Sequence, residues 1–243
     1  MKELIDIAYP IRTSATPEQD QLLKYSLRSL EANGGKFGDL FLIGKRREWF
    51  SPRVRVCDIH YGRESSSKFS RVTSKMVVFS SMEIPFVLMN DDFLLLQPQE
   101  ITQAKYKAFP SVKSIAKEHS SHAYRDLLER TQTKFNKGKD SFAFITHTPL
   151  LIDSPKLVQE ITTMYNRRSF SFRQAYALIR GLTKHPLLEI VKQDVKIKEK
   201  QTAANWPKAF AGHEMVSFHP AAVNQELFKA LEKMFPNKSR YER

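Results

Sequence analysis

Pro85-Phe86-Val87-Leu88-Met89-Asn90-Asp91-Asp92-Phe93 is an apolar run that ends abruptly in two carboxylates. A short apolar stretch behind a proline reads as a buried strand, and the acidic pair marks its carboxyl end. Upstream, the same rhythm repeats. Ile5-Asp6-Ile7-Ala8-Tyr9 is a first strand, Leu40-Phe41-Leu42-Ile43 a second closed by Gly44, and Val54-Arg55-Val56-Cys57 a third behind Pro52. Between the first two, Thr16-Pro17 supplies an N-cap and a proline suited to the first helical turn. Leu23, Leu27 and Leu30 then line one helix face until Asn33-Gly34-Gly35 stops it. Ser67 to Ser81 is predicted as a further helix. Strands alternating with helices over residues 1–96 predict an α/β fold with a mostly parallel central sheet covered on both faces.

The second half is less regular. The pattern predicts a polar helix over Ser111–Arg130, a turn at Asn136-Lys137-Gly138-Lys139, and a strand over Ser141–Thr146 ending at His147-Thr148-Pro149. Helices are expected over Pro155–Tyr165, Phe172–Ile179 and Ala221–Met234, the last with Leu227, Leu231 and Met234 on one face. No repeat, low-complexity segment or linker divides the chain. The 243 residues are expected to form one domain, with residues 97–243 completing the half that residues 1–96 begin.

Composition narrows the function classes. The chain is 41% hydrophobic and 27% charged with eight glycines, which excludes disordered and fibrous proteins. No apolar run reaches the roughly 18 residues of a spanning helix. Met1-Lys2-Glu3-Leu4-Ile5-Asp6 lacks the apolar core of a secretory signal. The single Cys57 excludes a disulfide framework and a cysteine-rich zinc site, and a reducing, cytoplasmic setting is expected. Lysine and arginine exceed the acidic residues by 13, a surplus that favours polyanions such as nucleic acid as partners. It is spread along the chain: Lys45, Arg46, Arg47, Arg53 and Arg55 around Trp49-Phe50; Arg167, Arg168, Arg173 and Arg180; Lys192, Lys196, Lys198 and Lys200. The charge therefore belongs to a folded surface and not to a tail.

Parallel sheets bind ligands beyond the carboxyl ends of their strands, where Asn90-Asp91-Asp92 falls. Adjacent carboxylates repel unless a cation or hydrogen-bond donors compensate. Such oxygen ligands suit Mg²⁺ or Mn²⁺, which complete their shells with waters and substrate phosphates. A nucleotide-sugar transferase needs this arrangement, because the metal neutralises the departing diphosphate. The plainer alternative is an Asx-rich turn capping the next segment.

Several short segments, in order, resemble the Stealth family of sugar-phosphate transferases, which includes bacterial capsule enzymes and the transferase that tags lysosomal glycoproteins. They are Ile5-Asp6-Ile7-Ala8-Tyr9, Tyr25–Glu31, Leu40–Gly44 with Pro52-Arg53-Val54, Lys68-Phe69-Ser70, Met89–Phe93, His147–Asp153 and Met234–Glu242. The resemblance implies a GT-A-like, Rossmann-like nucleotide-sugar fold with a metal at Asp91 and Asp92. Three family features differ. An Ile-Glu carboxylate is replaced by Lys75, a closing Asn-Asp by Ser217-Phe218-His219, and an opening Trp-Val-Asn-Gly by Pro10-Ile11-Arg12. These changes weaken phosphosugar transfer and suit an enzyme that grips a nucleotide diphosphate and moves only the sugar. In that outline the chain is similar to bacteriophage GT-A glycosyltransferases that decorate hydroxymethylated pyrimidines in DNA.

The resulting expectations are specific. Asp92 and Asp91 are the metal ligands, with His219 and His213 as candidates for a third, and Asn90 is placed on the donor ribose. Arg12 and Lys75 are expected on the nucleotide or diphosphate, the alternative for Lys75 being an ordinary solvated lysine. His147 is a candidate base or acceptor-binding group, or else a structural histidine. Trp49 either stacks on a base or covers the core. The donor is expected to be a UDP-sugar and the acceptor double-stranded DNA with modified bases, in the host cytoplasm if the chain is phage-encoded. A saccharide or capsule acceptor of the Stealth kind, and a non-catalytic nucleic-acid-binding protein on the same fold, are the alternatives.

Overall fold

The computed structural model describes residues 4–12, 15–58, 75, 79–103, 106–118, 121–163, 170–192 and 194–243. Along the chain these form β1 (Asp6–Pro10), α1 (Pro17–Asn33), β2 (Leu40–Ile43), β3 (Arg55–Cys57), β4 (Phe86–Leu88), β5 (Phe93–Leu95) and β6 (Tyr106–Ala108). There follow α2 (Val112–Glu118), α3 (His122–Asn136), β7 (Leu150–Ile152), α4 (Pro155–Thr163) and α5 (Phe172–Arg180). The last elements are β8 (Leu188–Ile190), β9 (Lys196–Ile197), α6 (Trp206–Phe210), β10 (Met215–Phe218) and α7 (Gln225–Met234).

The fold is mixed α/β around a five-stranded sheet ordered β3-β2-β1-β4-β7. All neighbours run parallel except β7, which is antiparallel to β4 with Phe86 opposite Ile152 and Leu88 opposite Leu150. Alternation divides the strands between two cores. Ile7, Tyr9, Leu40, Leu42 and Val87 face Leu23, Leu27 and Leu30 of α1. Ala8, Phe41, Ile43, Phe86 and Leu88 face the opposite way, toward Val158 and Ile161 of α4 and Tyr176 of α5. A three-stranded sheet, β5-β10-β9, extends the architecture, and α7 buries Leu227, Phe228 and Leu231 over it. No helix of the described residues is long and apolar enough to cross a membrane.

Helix α1 begins where its sequence signals it. Thr16 and Gln19 form a reciprocal capping box, which satisfies orphan backbone N–H groups at the helix start. At its other end Gly35 adopts φ +68°, a conformation an L side chain rarely takes. One buried edge of α1 also does the work of a strand. Ser26 donates to the carbonyl of Phe93, Ser29 accepts from the N–H of Leu95, and Asn33 donates to the carbonyl of Leu95. These side chains complete the free edge of β5, whose other edge pairs with β10.

The second half departs from expectation at three points. Ser141–Thr146 is not a strand; only Ala143 makes an isolated bridge, to Phe109. Side chains take the place of a ladder there: Gln174 accepts from the N–H of Phe144 and donates to the carbonyl of Phe142, and Thr146 donates to that of Lys107. The expected helix over 111–130 is two helices, the second restarted by Ser121 as N-cap. The last helix starts at Gln225, capped by Asn224, and Met234 at its end is exposed. Of the predicted helix over 67–81, Lys75, Phe79, Ser80 and Ser81 are described; the first three are helical and Ser81 is in a turn. Lys68-Phe69-Ser70, Arg167 and Arg168 lie outside the described residues.

The closing segment returns to the start of the fold. Phe50 forms an antiparallel bridge with Glu242, and Ser51 donates through its N–H to Tyr241 and through its hydroxyl to Arg240. Arg28 on α1 grips both Glu242 carboxylate oxygens, at 2.9 and 3.1 Å, and donates to the carbonyl of Phe235.

Candidate active site

The carboxyl ends of β1, β2 and β4 open on the same end of the sheet, and the antiparallel β7 brings its amino end there too. This direction explains the place of His147-Thr148-Pro149. They lie beside Met89–Asp92 because they lead into β7, not because a strand ends at them. The N–H of Met89 donates to the carbonyl of Ala8 at 2.9 Å, holding the end of β4 against β1. Asn90-Asp91-Asp92-Phe93 then closes a turn, with the N–H of Phe93 donating to the carbonyl of Asn90 at 3.2 Å. Phe93 opens β5, fixed by the serines of α1, so the acidic pair sits on a turn anchored at both ends.

On the β1 side two cations approach. Arg12 Nε lies 3.9 Å from an Asp91 oxygen. The Arg12 carbonyl accepts from Arg47, which also pairs with Asp20 of α1, so the loop after β1 is clamped from outside. Lys75 is buried, 4% exposed, and its ammonium donates to the carbonyl of Ile11. Gly44 makes room for it. A Cβ there would stand 2.8 Å from the Ile11 carbonyl oxygen and 3.3 Å from the Lys75 ammonium, on a backbone with φ +148°.

The β7 side carries a second polar group. His147 donates its backbone N–H to Asp194 Oδ1 at 3.1 Å, and its Nδ1 lies 2.5 Å from Asp194 Oδ2. The Lys196 ammonium is 3.0 Å from its Nε2. Arg173 of α5 donates to the carbonyl of Thr148 at 2.6 Å and lies over the ring of Phe93. Its Nη2 is sealed from solvent and has no hydrogen-bond partner among the described residues.

The charges interact across the turn. Burial, and then the neighbouring Asp92, push Asp91 up to about 6 against the pull of Arg12 and Lys75. Burial also raises Asp92, opposed by Lys196, His147 and Arg12. Burial pulls Arg173 down to about 10, with Asp92, Asp194 and Tyr124 favouring its charge. Asp194 goes the other way. Burial works against its charge, but the side-chain and backbone bonds from His147 and the charge of Lys196 hold it below the usual carboxylate range.

Of the residues singled out by sequence, Asp91, Asp92, Asn90, Arg12, Lys75 and His147 gather at this end of the sheet. The two other histidines fall at opposite ends of β10. His219 follows β10, whose Ser217 is opposite Phe93; its Nδ1 accepts from the N–H of Ala221 and starts a 3-10 turn. His213 precedes β10, at the end of β5 remote from Asp92, and lines a cavity of about 970 Å³ with Tyr25, Phe210 and Phe228. Among the described residues no three His, Cys, Asp or Glu side chains gather as a metal cluster. Trp49 packs edge-on against Phe50 with Lys24 over its ring, which makes it a cover for the core. Sequence reading passed over Asp194, Lys196 and Arg173 as site residues. The only signal they gave was general basicity for the two cations.

No protein-family model matches the chain, and no curated protein sequence matches it. Solved structures do resemble it in backbone course. The apo form of mouse xyloside xylosyltransferase 1 aligns with a TM-score of 0.42 and 11% identity over 90% of this chain and 99% of that one. The galactosyltransferase LgtC, solved with donor and acceptor sugar analogues, aligns with a TM-score of 0.48 and 11% identity over 97% and 98%. At this distance neither likeness says what this chain binds.

Proposed function

We propose that this end of the sheet binds a nucleotide sugar and transfers its sugar to an acceptor hydroxyl, on a GT-A-like fold. The observation that carries the reading is the buried Asp91–Asp92 turn at the carboxyl end of β4, flanked by Arg12 and Lys75 on one side and His147 on the other. The donor set fits Mn²⁺ or Mg²⁺. Two hard oxygen ligands on a fixed turn, both with raised pKa values, hold negative charge that a divalent cation would relieve. Waters and the donor's phosphates supply the remaining ligands, with His219 the candidate protein addition. Such an ion, when bound, supplies charge neutralisation for the departing diphosphate. Arg12 and Lys75 reinforce that neutralisation with fixed positive charge, Asn90 faces the ribose, and His147 receives the acceptor.

The acceptor we propose is a hydroxymethylated pyrimidine in double-stranded DNA, in a cytoplasmic setting. The net charge of +13 supports a polyanionic acceptor. A base in a duplex must leave the stack to be modified, and phosphate contacts would hold the flanking strand while it does. The test combines protein, Mn²⁺, a panel of nucleotide sugars and hydroxymethylpyrimidine DNA, followed by digestion to nucleosides and mass spectrometry. A hexose- or pentose-sized mass increase on the modified base is expected, together with release of nucleoside diphosphate. Release of nucleoside monophosphate would instead mean phosphosugar transfer to a saccharide, the Stealth-like alternative. DNA binding with a steep salt dependence and no donor turnover would leave only a nucleic-acid-binding role.

A further inference from the structure

Asp194, His147 and Lys196 form a chain of contacts whose protons are fixed by chemistry. A lysine ammonium has no acceptor, so at 3.0 Å it must donate to His147 Nε2, which therefore carries a lone pair. The ring proton is then on Nδ1, where it is donated to Asp194 at 2.5 Å. A second bond, from the His147 N–H to the other Asp194 oxygen, ties the carboxylate to the same residue's backbone and fixes the ring's azimuth. The connection arises from topology. Lys196 opens β9 and Asp194 lies two residues before it, β9 pairs with β10, and β10 pairs with β5, which begins one residue after Asp92. The segment that holds the ring is therefore built onto the same small sheet as the acidic turn.

We infer that Asp194 is a positioning residue that locks His147 in the Nδ1–H tautomer and so presents Nε2 as the proton acceptor for the acceptor hydroxyl. This rests on the transfer reaction proposed above. In the step, the acceptor O–H bond breaks and its proton passes to Nε2. The acceptor oxygen bonds to the anomeric carbon, and the bond from that carbon to the diphosphate breaks with its electron pair leaving on the diphosphate. Asp194 takes no proton; its charge stabilises the imidazolium that forms. Lys196 occupies Nε2 until the acceptor arrives. Its ammonium then keeps the Asp194 carboxylate, whose charge it already faces, as its counter-ion. A histidine oriented by a carboxylate is a general means of making a neutral base available at one defined atom.

The test reads the tautomer directly, without donor or acceptor. Protein labelled with ¹⁵N at histidine, with His147→Gln to assign its signals, is compared with Asp194→Asn and Lys196→Met by long-range proton–nitrogen correlation. The wild-type ring should show a protonated Nδ1 and an unprotonated Nε2. Lys196→Met should keep that pattern, and Asp194→Asn should lose it to a mixture of tautomers. In the transfer assay Asp194→Asn should lower kcat by about 10²- to 10⁴-fold, the usual contribution of general base catalysis, with donor KM unchanged. A wild-type ring protonated on Nε2, or an Asp194→Asn protein that melts normally and keeps its kcat, overturns the inference. A correctly locked ring in a protein that transfers no sugar from any donor removes the proposed reaction and leaves the positioning of the ring by Asp194 standing.

Discussion

Asp92 stands where opposing charges converge, with Lys196, His147 and Arg12 favouring its ionised form and burial opposing it more strongly. Its surroundings thus tolerate a neutral isostere. Asp92→Asn should leave the melting temperature within a few degrees of wild type. Mn²⁺-supported turnover should fall by roughly 10²-fold, the scale of losing a few kcal/mol of charge stabilisation in the transition state. A variant that melts normally and turns over normally would place the chemistry elsewhere. Asp91 supplies a pH prediction. Its folded pKa of about 6 lies above the ordinary 3.8, so the fold favours its protonated form. That preference is fully present below the unfolded value and is lost as pH rises through the folded one. Wild type should therefore lose stability, relative to Asp91→Asn, between about pH 4 and 6. Paired thermal melts at pH 4 and pH 8 check this: the variant should gain only at the higher pH. Asp91 and Asp92 were legible because a carboxylate pair after an apolar run is conspicuous in any sequence. Asp194, Lys196 and Arg173 were not, because their meaning comes from facing His147 and Asp92 across long stretches of chain.

Elements formed where local chemistry was decisive. The Thr16/Gln19 box and the leucine face set α1, and its predicted start is where the helix begins. Thr16→Ala should cost about 1 kcal/mol, read as a lower urea midpoint with unchanged slope. An unchanged midpoint would mean that tertiary contacts alone hold the first turn. Ser26 and Ser29 are a different matter. Mid-helix serines carry no helical signal, and nothing local shows that they complete a strand edge 67 and 66 residues away. Ser141–Thr146 misled for a related reason. Its apolar content is buried as a strand's would be, but Gln174 supplies the partners that a neighbouring strand would otherwise provide. Periodicity reports burial, and not who satisfies the backbone.

At the scale of the molecule, the alternation in residues 1–96 carried the main sheet except for its last member. β7 comes from the second half and inserts antiparallel, a choice that depends on which edge of β4 remained free. That insertion also carries His147 to the site, so the sequence named the residue but not the topology that brings it there. The Arg28–Glu242 grip joins positions 214 residues apart, with the Glu242 side chain 3% exposed. A contact spanning so much chain pays a large loop-closure cost, and it forms after the nearer contacts of the parallel sheet. It is therefore expected to be absent from the folding transition state and to guard the exit from the native state more than the entry to it. Glu242→Gln leaves the partly buried Arg28 guanidinium paired with the exposed Glu232, in place of the buried carboxylate that gripped it, and should destabilise by about 3 kcal/mol. Nearly all of that should appear as faster unfolding, roughly 10²-fold, with the refolding rate almost unchanged. Stopped-flow chevrons of the two proteins decide it. A slowed refolding arm would mean that the chain closes on its last segment early. The expected result makes this grip a latch on native lifetime, so that proteolysis and thermal inactivation respond to its loss far more than the yield of refolding does.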